Sequence, residues 1–421
     1  MVLARLLSPD LFGVMLIVNT VRTGVDLLSD VGIGQNIVSN KDGHLPGFYS
    51  TAWTLQIIRG LLLSVIFSSA AIPISRIYGE PALSYIIPIS SLYFIFSGLE
   101  PPSRFIFQKR MQVDRLSVLE VSVFATLSLF QIILAILWPT VWALVYGGVM
   151  SSIILTTVSY IMLPVPNPKL MIDLVYARRI LSFGKWIFLS TSVYFFASNL
   201  DRLYMGRYVP LALLGVYGVA RSLSDILSQL AVKLTQGIVF PMVAASELDH
   251  DAMRTKVNSA KSKFLPLAAI GTSVFAASSG LIVDLLYDDR YRTAALFLPI
   301  LTLGIWFGVL ASLGEALMLG IRRPGYGAMG NTAKLVWLSV TLPVSFQYSG
   351  LIGALWSLVI SDIGRYLILA AGQVKTNLSS WRQEILATFL FVIIFLALRL
   401  VIWGCGFDEF GTFLPLPTSI E

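Results

Sequence analysis

Apolar residues run in long blocks along this chain, and polar residues gather in the short gaps between them. The blocks fall at about 11–38, 48–75, 82–100, 116–138, 140–163, 180–205, 209–242, 264–286, 294–320, 328–347, 350–372 and 384–404. A block of roughly 20 apolar residues is long enough to cross a bilayer as a helix. The pattern therefore predicts twelve transmembrane helices. The joints carry residues that stop helices: Ser8-Pro9-Asp10, Gly79-Glu80-Pro81, Trp138-Pro139, Arg323-Pro324-Gly325 and Ser349-Gly350. The longest polar stretches, about 101–115, 164–179 and 246–263, are too short to fold as domains.

Composition agrees. Of 421 residues, 56% are hydrophobic and 13% charged, and the mean hydropathy is +0.79. Soluble chains carry about 25% charge. An ordinary soluble enzyme, a disordered chain and a fibrous repeat are excluded. Cys405 is the single cysteine, so no disulfide forms within the chain, and His44 and His250 lie in polar segments. No cofactor, metal centre or catalytic constellation is expected.

Basic residues fall in alternate connections. One set holds 18 Lys and Arg, including Arg104, Lys109, Arg110, Lys169, Arg179, Lys261 and Lys334; the other holds 6, including Arg5, Arg76, Arg202 and Arg207. The positive-inside bias places the first set in the cytoplasm. The net charge of +7 reflects that bias rather than nucleic-acid binding.

The chain also repeats. Arg5 to Val18 matches Arg207 to Ala220 without a gap, pairing Leu11 with Leu213, Gly13 with Gly215 and Val14 with Val216. Weaker matches follow in the same order: Tyr78 and Pro88-Ile89 with Tyr287 and Pro299-Ile300, then Trp142-Ala143-Leu144 with Gly353-Ala354-Leu355. Both copies start with the same assigned orientation, as in parallel transporter repeats. The expected fold is all-α: a polytopic membrane protein with two parallel-repeat helical lobes around a central cavity. The expected boundaries are 1–164 for the N-lobe, 165–179 for a cytoplasmic linker, 180–375 for the C-lobe and 376–421 for an extra helix and tail. A full span precedes Arg207 and only four residues precede Arg5, so the first lobe is expected to lack its first helix.

Charges inside the spans are the candidate chemistry. Asn19, Arg22, Asp26, Ser29 and Asp30 share one helical face, as do Arg221, Asp225, Ser228, Gln229 and Gln236, with Lys233 at the edge. Arg22/Asp26 and Arg221/Asp225 have i,i+4 spacing. Arg59 and Arg365 add cations, and Glu120, Glu315 and Asp362 add anions. An ionised residue at bilayer depth costs about 2.5–3.5 kcal/mol on insertion scales, so it needs a partner or a wet cavity. Any one pair reads equally as a structural ion pair or as part of a wet cavity; two matched stripes favour a cavity. The cations Arg22, Arg59, Arg221, Lys233 and Arg365 suit a phosphate or pyrophosphate, whose oxygens match guanidinium forks. Asp26, Asp30 and Asp225 are candidates for ion coupling or ion pairs.

Three other features read as structural. Gly325-Tyr326-Gly327-Ala328-Met329-Gly330 fits a dinucleotide pattern, but no strand precedes it. Arg104 to Arg115 reads as a headgroup-facing basic segment, with a role in receiving a lipid-linked substrate as the sharper alternative. Tyr287-Asp288-Asp289-Arg290 reads as a surface turn rather than a metal site.

Ala4-Arg5-Leu6-Leu7-Ser8-Pro9-Asp10-Leu11-Phe12-Gly13 and Asp30-Val31-Gly32-Ile33-Gly34 resemble Wzx-type polysaccharide and O-antigen flippases. So do Phe183-Gly184-Lys185-Trp186, the run Asn199 to Arg207, and Leu214-Gly215-Val216-Tyr217. The resemblance spans residue 4 to about 375 and belongs to the polysaccharide branch of the multidrug/oligosaccharidyl-lipid/polysaccharide exporters. It implies two six-helix lobes, a start one helix earlier, a cationic cavity, and translocation of undecaprenyl-pyrophosphate-linked oligosaccharide across the bacterial inner membrane. It implies as partners membrane lipids, a polysaccharide polymerase and a chain-length regulator. A MATE-like drug antiporter is the closer rival; a membrane-embedded polymerase or ligase would need larger outward loops than these.

Overall fold

The computed structural model describes residues 2–110, 112–162, 168–235, 250–321 and 323–404, with Val239 and Val243. Gln236 and Cys405 lie outside the described residues. Every described regular element is helical. Helix falls within each of the twelve predicted blocks, but among the described residues seven helices are long and apolar enough to cross a membrane, or up to ten if each bent pair counts as one span; the chain is a multi-pass membrane protein.

Two compact units divide at Leu214 and Gly215. The first contains α1 (Val2–Leu6), α2 (Pro9–Leu27), α3 (Ile33–Ser39), α4 (Pro46–Ser69), α5 (Ala71–Tyr78), α6 (Leu83–Ser90), α7 (Leu92–Leu99), α8 (Ser103–Lys109), α9 (Val113–Leu137), α10 (Val141–Met162) and α11 (Leu174–Tyr208). The predicted span 11–38 is two helices. Gly32 takes a left-handed φ of 66° at the start of α3, a conformation glycine adopts without a Cβ penalty. Ser29 and Asp30 therefore sit past the end of α2 rather than on its stripe. Asp30 Oδ1 accepts the Gly32 N–H at 2.8 Å and fixes that turn.

Close approach in this unit depends on small residues. Gly60 of α4 and Gly98 of α7 face each other, and a Cβ on Gly60 would lie 3.0 Å from the Gly98 Cα. Such small-residue crossings let helix backbones pack tightly in membranes. Pro101-Pro102 then breaks the span, and α8 leaves at 53° to the preceding helices. In apolar surroundings each freed carbonyl would cost several kcal/mol if unpaired. Gln56 Nε2 donates to the Ser97 and Glu100 carbonyls at 2.9 and 3.2 Å. Trp53 Nε1 and Tyr160 Oη donate to Leu99 O at 3.3 and 3.1 Å.

The helix α11, placed by the sequence at the head of the C-lobe, packs within the first unit along α2. Thr191 Oγ1 donates to Leu27 O at 2.9 Å. Phe195 covers Gly24, and Val31 covers Gly184. The stretch before α11 is fastened to α4: the N–H groups of Lys169, Met171 and Asp173 donate to the hydroxyls of Ser50, Thr54 and Thr51. Asp173 then caps α11 through the Val175 and Tyr176 N–H groups.

The second unit begins within α12 (Leu211–Leu234) and holds α13 (His250–Ala277), α14 (Ser279–Leu286), α15 (Ala294–Gly320), α16 (Gly325–Lys375) and α17 (Trp381–Gly404). The 51 residues of α16 contain non-helical Ser349 and Gly350, so the predicted spans 328–347 and 350–372 remain two. The core gathers on α15, where Trp306 stacks on Phe391 of α17 at 5.4 Å.

Two lysines assigned to cytoplasmic connections are instead buried in helices. Lys261 of α13 is 1% exposed and pairs with Glu384 of α17, 4% exposed, at 2.7 Å. Gln373 and Tyr366 of α16 complete the cluster, accepting from Lys261 at 2.6 Å and donating to Glu384 Oε2 at 2.6 Å. Lys334 pairs with Asp362 at 2.5 Å. The isolated positions of these lysines among loop-like polar residues concealed their partners, which lie 28 and 123 residues away.

The internal repeat has a structural counterpart. At the 202-residue shift, the first residue of α2, Pro9, falls on the first residue of α12, Leu211. The same shift puts Arg221 on Asn19 and Arg22 on Ser224. The two Arg–Asp steps are thus one helical turn out of register.

Candidate functional site

A cavity of about 580 Å³ lies within the first unit. Its walls come from α2, α3, α4, α7, α8 and α10. The α4–α7 crossing forms one wall, with both Gly60 and Gly98 on the lining, and the proline break swings α8 across another. Breaking that span puts two charged residues, Glu100 and Arg104, on the lining.

The charges on this wall largely answer one another. Arg59 Nη2 contacts Asp26 Oδ1 at 2.7 Å. The same guanidinium donates to the Asp26 carbonyl at 2.5 Å, the Ser29 carbonyl at 3.0 Å and the Ser29 hydroxyl at 2.9 Å. Arg59 thereby binds α4 to the last turn of α2. Arg104 meets Glu100 at 3.5 Å, a looser pair with the arginine side chain 44% exposed. Asp30 completes the charged set with its cap on Gly32. Three carboxylates face two guanidiniums, so this cavity is not cationic.

Arg22 takes a different position. Its guanidinium lies over the Tyr93 ring, 4.4 Å from the centroid, and its Nη1 approaches Gly148 of α10. Among the described residues it has no carboxylate within ion-pair distance. Tyr93 lines the cavity and Arg22 does not. The remaining polar lining is neutral: Gln35, Gln56, Gln108 and Ser97. Sequence reasoning missed Tyr93 and these amides, which are unremarkable inside apolar spans.

The other candidates lie in the second unit. Arg221 pairs with Asp225 at 3.4 Å, as the i,i+4 spacing predicts. Arg365 pairs with Glu315 at 2.5 Å. Gly327 and Gly330 of the glycine-rich run pack against Glu315 and Arg365, so these glycines make room for an ion pair. Lys233 is exposed and has no carboxylate partner among the described residues. Asp288 caps a 3-10 turn and chelates Arg290, whose guanidinium it holds above its ordinary pKa.

The family model for polysaccharide biosynthesis proteins matches residues 2–296. The chain belongs to that family. Among curated relatives, the lipopolysaccharide biosynthesis protein WzxC of Escherichia coli K12 is 23% identical over 92% of this chain and 79% of its own length. The teichuronic acid biosynthesis protein TuaB of Bacillus subtilis 168 is 22% identical over 86% and 76%. Among solved structures, the inward closed lipid II flippase MurJ superposes with a TM-score of 0.72 at 12% identity, covering 97% of this chain and 96% of that one. An inward-facing MATE transporter superposes at 0.66, with 15% identity and coverage of 89% and 92%. This member of the polysaccharide biosynthesis family therefore has the fold expected from the sequence, that of the MurJ and MATE exporters.

Proposed function

We propose that the chain is a flippase for lipid-linked saccharides, carrying undecaprenyl-pyrophosphate-linked repeat units from the cytoplasmic to the periplasmic face of the bacterial inner membrane by alternating access. The family match over residues 2–296 carries this reading, and the fold shared with a lipid II flippase supports it. Transport rather than enzymatic chemistry follows from the same matches.

The cations without a carboxylate partner among the described residues are the proposed phosphate ligands: Arg22 in the first unit and Lys233 in the second. Arg59, Arg221 and Arg365 each pair with a carboxylate. Asp26 and Asp225 are proposed as coupling carboxylates, since protonating either would release its arginine. For Asp26 that release would loosen α2 from α4.

Deleting the gene should cause lipid-linked repeat units to accumulate on the cytoplasmic face and abolish surface polysaccharide, and the intact gene should restore both. Purified protein in liposomes should translocate the accumulated lipid. A deletion strain with normal polymer and no accumulated intermediate would overturn the reading. Export of cationic drugs without lipid translocation would support the antiporter instead.

A further inference from the structure

A lipid-linked glycan has its pyrophosphate bonded directly to its first sugar. A protein that binds both must place its phosphate-receiving cation beside a saccharide surface. Arg22 and Tyr93 meet that requirement: the guanidinium lies 4.4 Å from the ring centroid, and the tyrosine lines a cavity that the arginine does not enter.

We propose that the first-unit cavity is a saccharide subsite with Tyr93 as its stacking platform, and that it takes neutral pyranose rings in preference to acidic ones. This rests on the flippase reading and extends it to the sugar.

A pyranose presents an apolar C–H face and a rim of hydroxyls, each both donor and acceptor. The cavity offers matching surfaces. Tyr93 and Phe105 supply rings, and Gln35, Gln56, Gln108 and Ser97 supply neutral donors and acceptors. Its volume of about 580 Å³ falls in the range of roughly 300–1,000 Å³ usual for small-ligand sites. The charges decide the preference. Asp26 is held by Arg59 and Glu100 by Arg104, while Asp30 has no cation within ion-pair distance among the described residues. A uronate would add a fourth carboxylate to a wall with two guanidiniums. A neutral ring meets no such cost, and its hydroxyls can donate to the Asp30 oxygen that the Gly32 N–H does not use.

The test uses the full-length protein in nanodiscs, with binding followed by calorimetry. The probes are maltotriose, triacetylchitotriose, trigalacturonate and inorganic pyrophosphate. At least one neutral trisaccharide should bind in the millimolar range, more tightly than trigalacturonate. Tyr93→Leu should weaken the neutral sugar by about tenfold or more, and Gln108→Leu, remote from Arg22, should leave pyrophosphate binding unchanged. Tyr93→Phe should keep sugar binding. Gln108→Leu, on the exposed face of α8, should weaken it without the risk of unfolding. No neutral sugar binding to the wild type, wild-type sugar affinity in both Tyr93→Leu and Gln108→Leu, or tighter binding of trigalacturonate would each overturn the proposal. Sugar binding that persists in a protein unable to translocate lipid would overturn the flippase reading alone.

Discussion

Asp26 bonds to Arg59, 33 residues away on α4, rather than to Arg22 one turn back on its own helix. The i,i+4 spacing that ties Arg221 to Asp225 is present in both stripes, but only the second uses it. The difference lies at the end of α2. The helix stops at Leu27, exposing the carbonyls of Asp26 and Ser29, and Arg59 reaches all of these acceptors at once. Arg22 is left to the face of Tyr93.

Arg59→Gln should therefore act on stability. It removes several hydrogen bonds to partly buried groups, and a loss of ~1–3 kcal/mol is expected. Asp26→Asn should cost less, because an amide oxygen still accepts. Thermal unfolding in detergent measures both. An Arg59→Gln protein that melts with the wild type would show the staple to be idle.

Arg22→Ala, which removes a proposed phosphate ligand, and Arg221→Ala, which removes the partner of the proposed coupling carboxylate Asp225, should insert at normal levels and fail to restore surface polysaccharide in the deletion strain. Lys233→Gln should do the same if it receives phosphate. Membrane abundance on blots and polymer on gels separate the two effects. Normal polymer from both arginine variants would remove the polar stripes from the mechanism.

Lys261→Met should be among the most destabilising single changes in the second unit. It leaves Glu384 buried without its cation, at a cost of ~3–5 kcal/mol. Combining it with Glu384→Gln should recover part of the loss, since the uncompensated charge is then gone. A thermal double-mutant cycle reads the coupling. Additive losses would mean that the two residues act separately.

Gly60→Val should separate α4 from α7, because a Cβ at this position already collides with the Phe94 carbonyl. A loss of ~1–3 kcal/mol is expected from such overpacking. Gly271→Val, where a Cβ meets nothing within 4 Å, is the matched control. Equal melting temperatures for the two variants would contradict the close crossing.

The spans were legible because bilayer depth allows little besides apolar residues, and proline and glycine marked most of the joints. The two Arg–Asp steps and their helices could be read by spacing. Partnership across the fold could not. Nothing local distinguishes Lys261 from a loop lysine, since burial depends on helices more than 100 residues later. The saccharide-facing side chains were hidden for a related reason. Gln56, Ser97 and Tyr93 are individually ordinary in a membrane helix, and a cavity emerges only when the break after Leu99 brings α8 across them.

The hydroxyls of Ser50, Thr51 and Thr54, which fasten the stretch before α11 to α4, also bear on how the protein can be engineered. A polar linker between halves is the usual place to cut a transporter into two separately expressed pieces. Here residues 169–173 are stitched to the first unit, and α11 beyond them belongs to it too. A split at 165–179 would strip the first piece of its longest covering helix and leave that helix on the second. The productive seam lies one helix later, at Val209-Pro210, the interhelical joint nearest the boundary at Leu214 and Gly215. Co-expressed pieces divided there should reassemble more readily than pieces divided in the polar stretch.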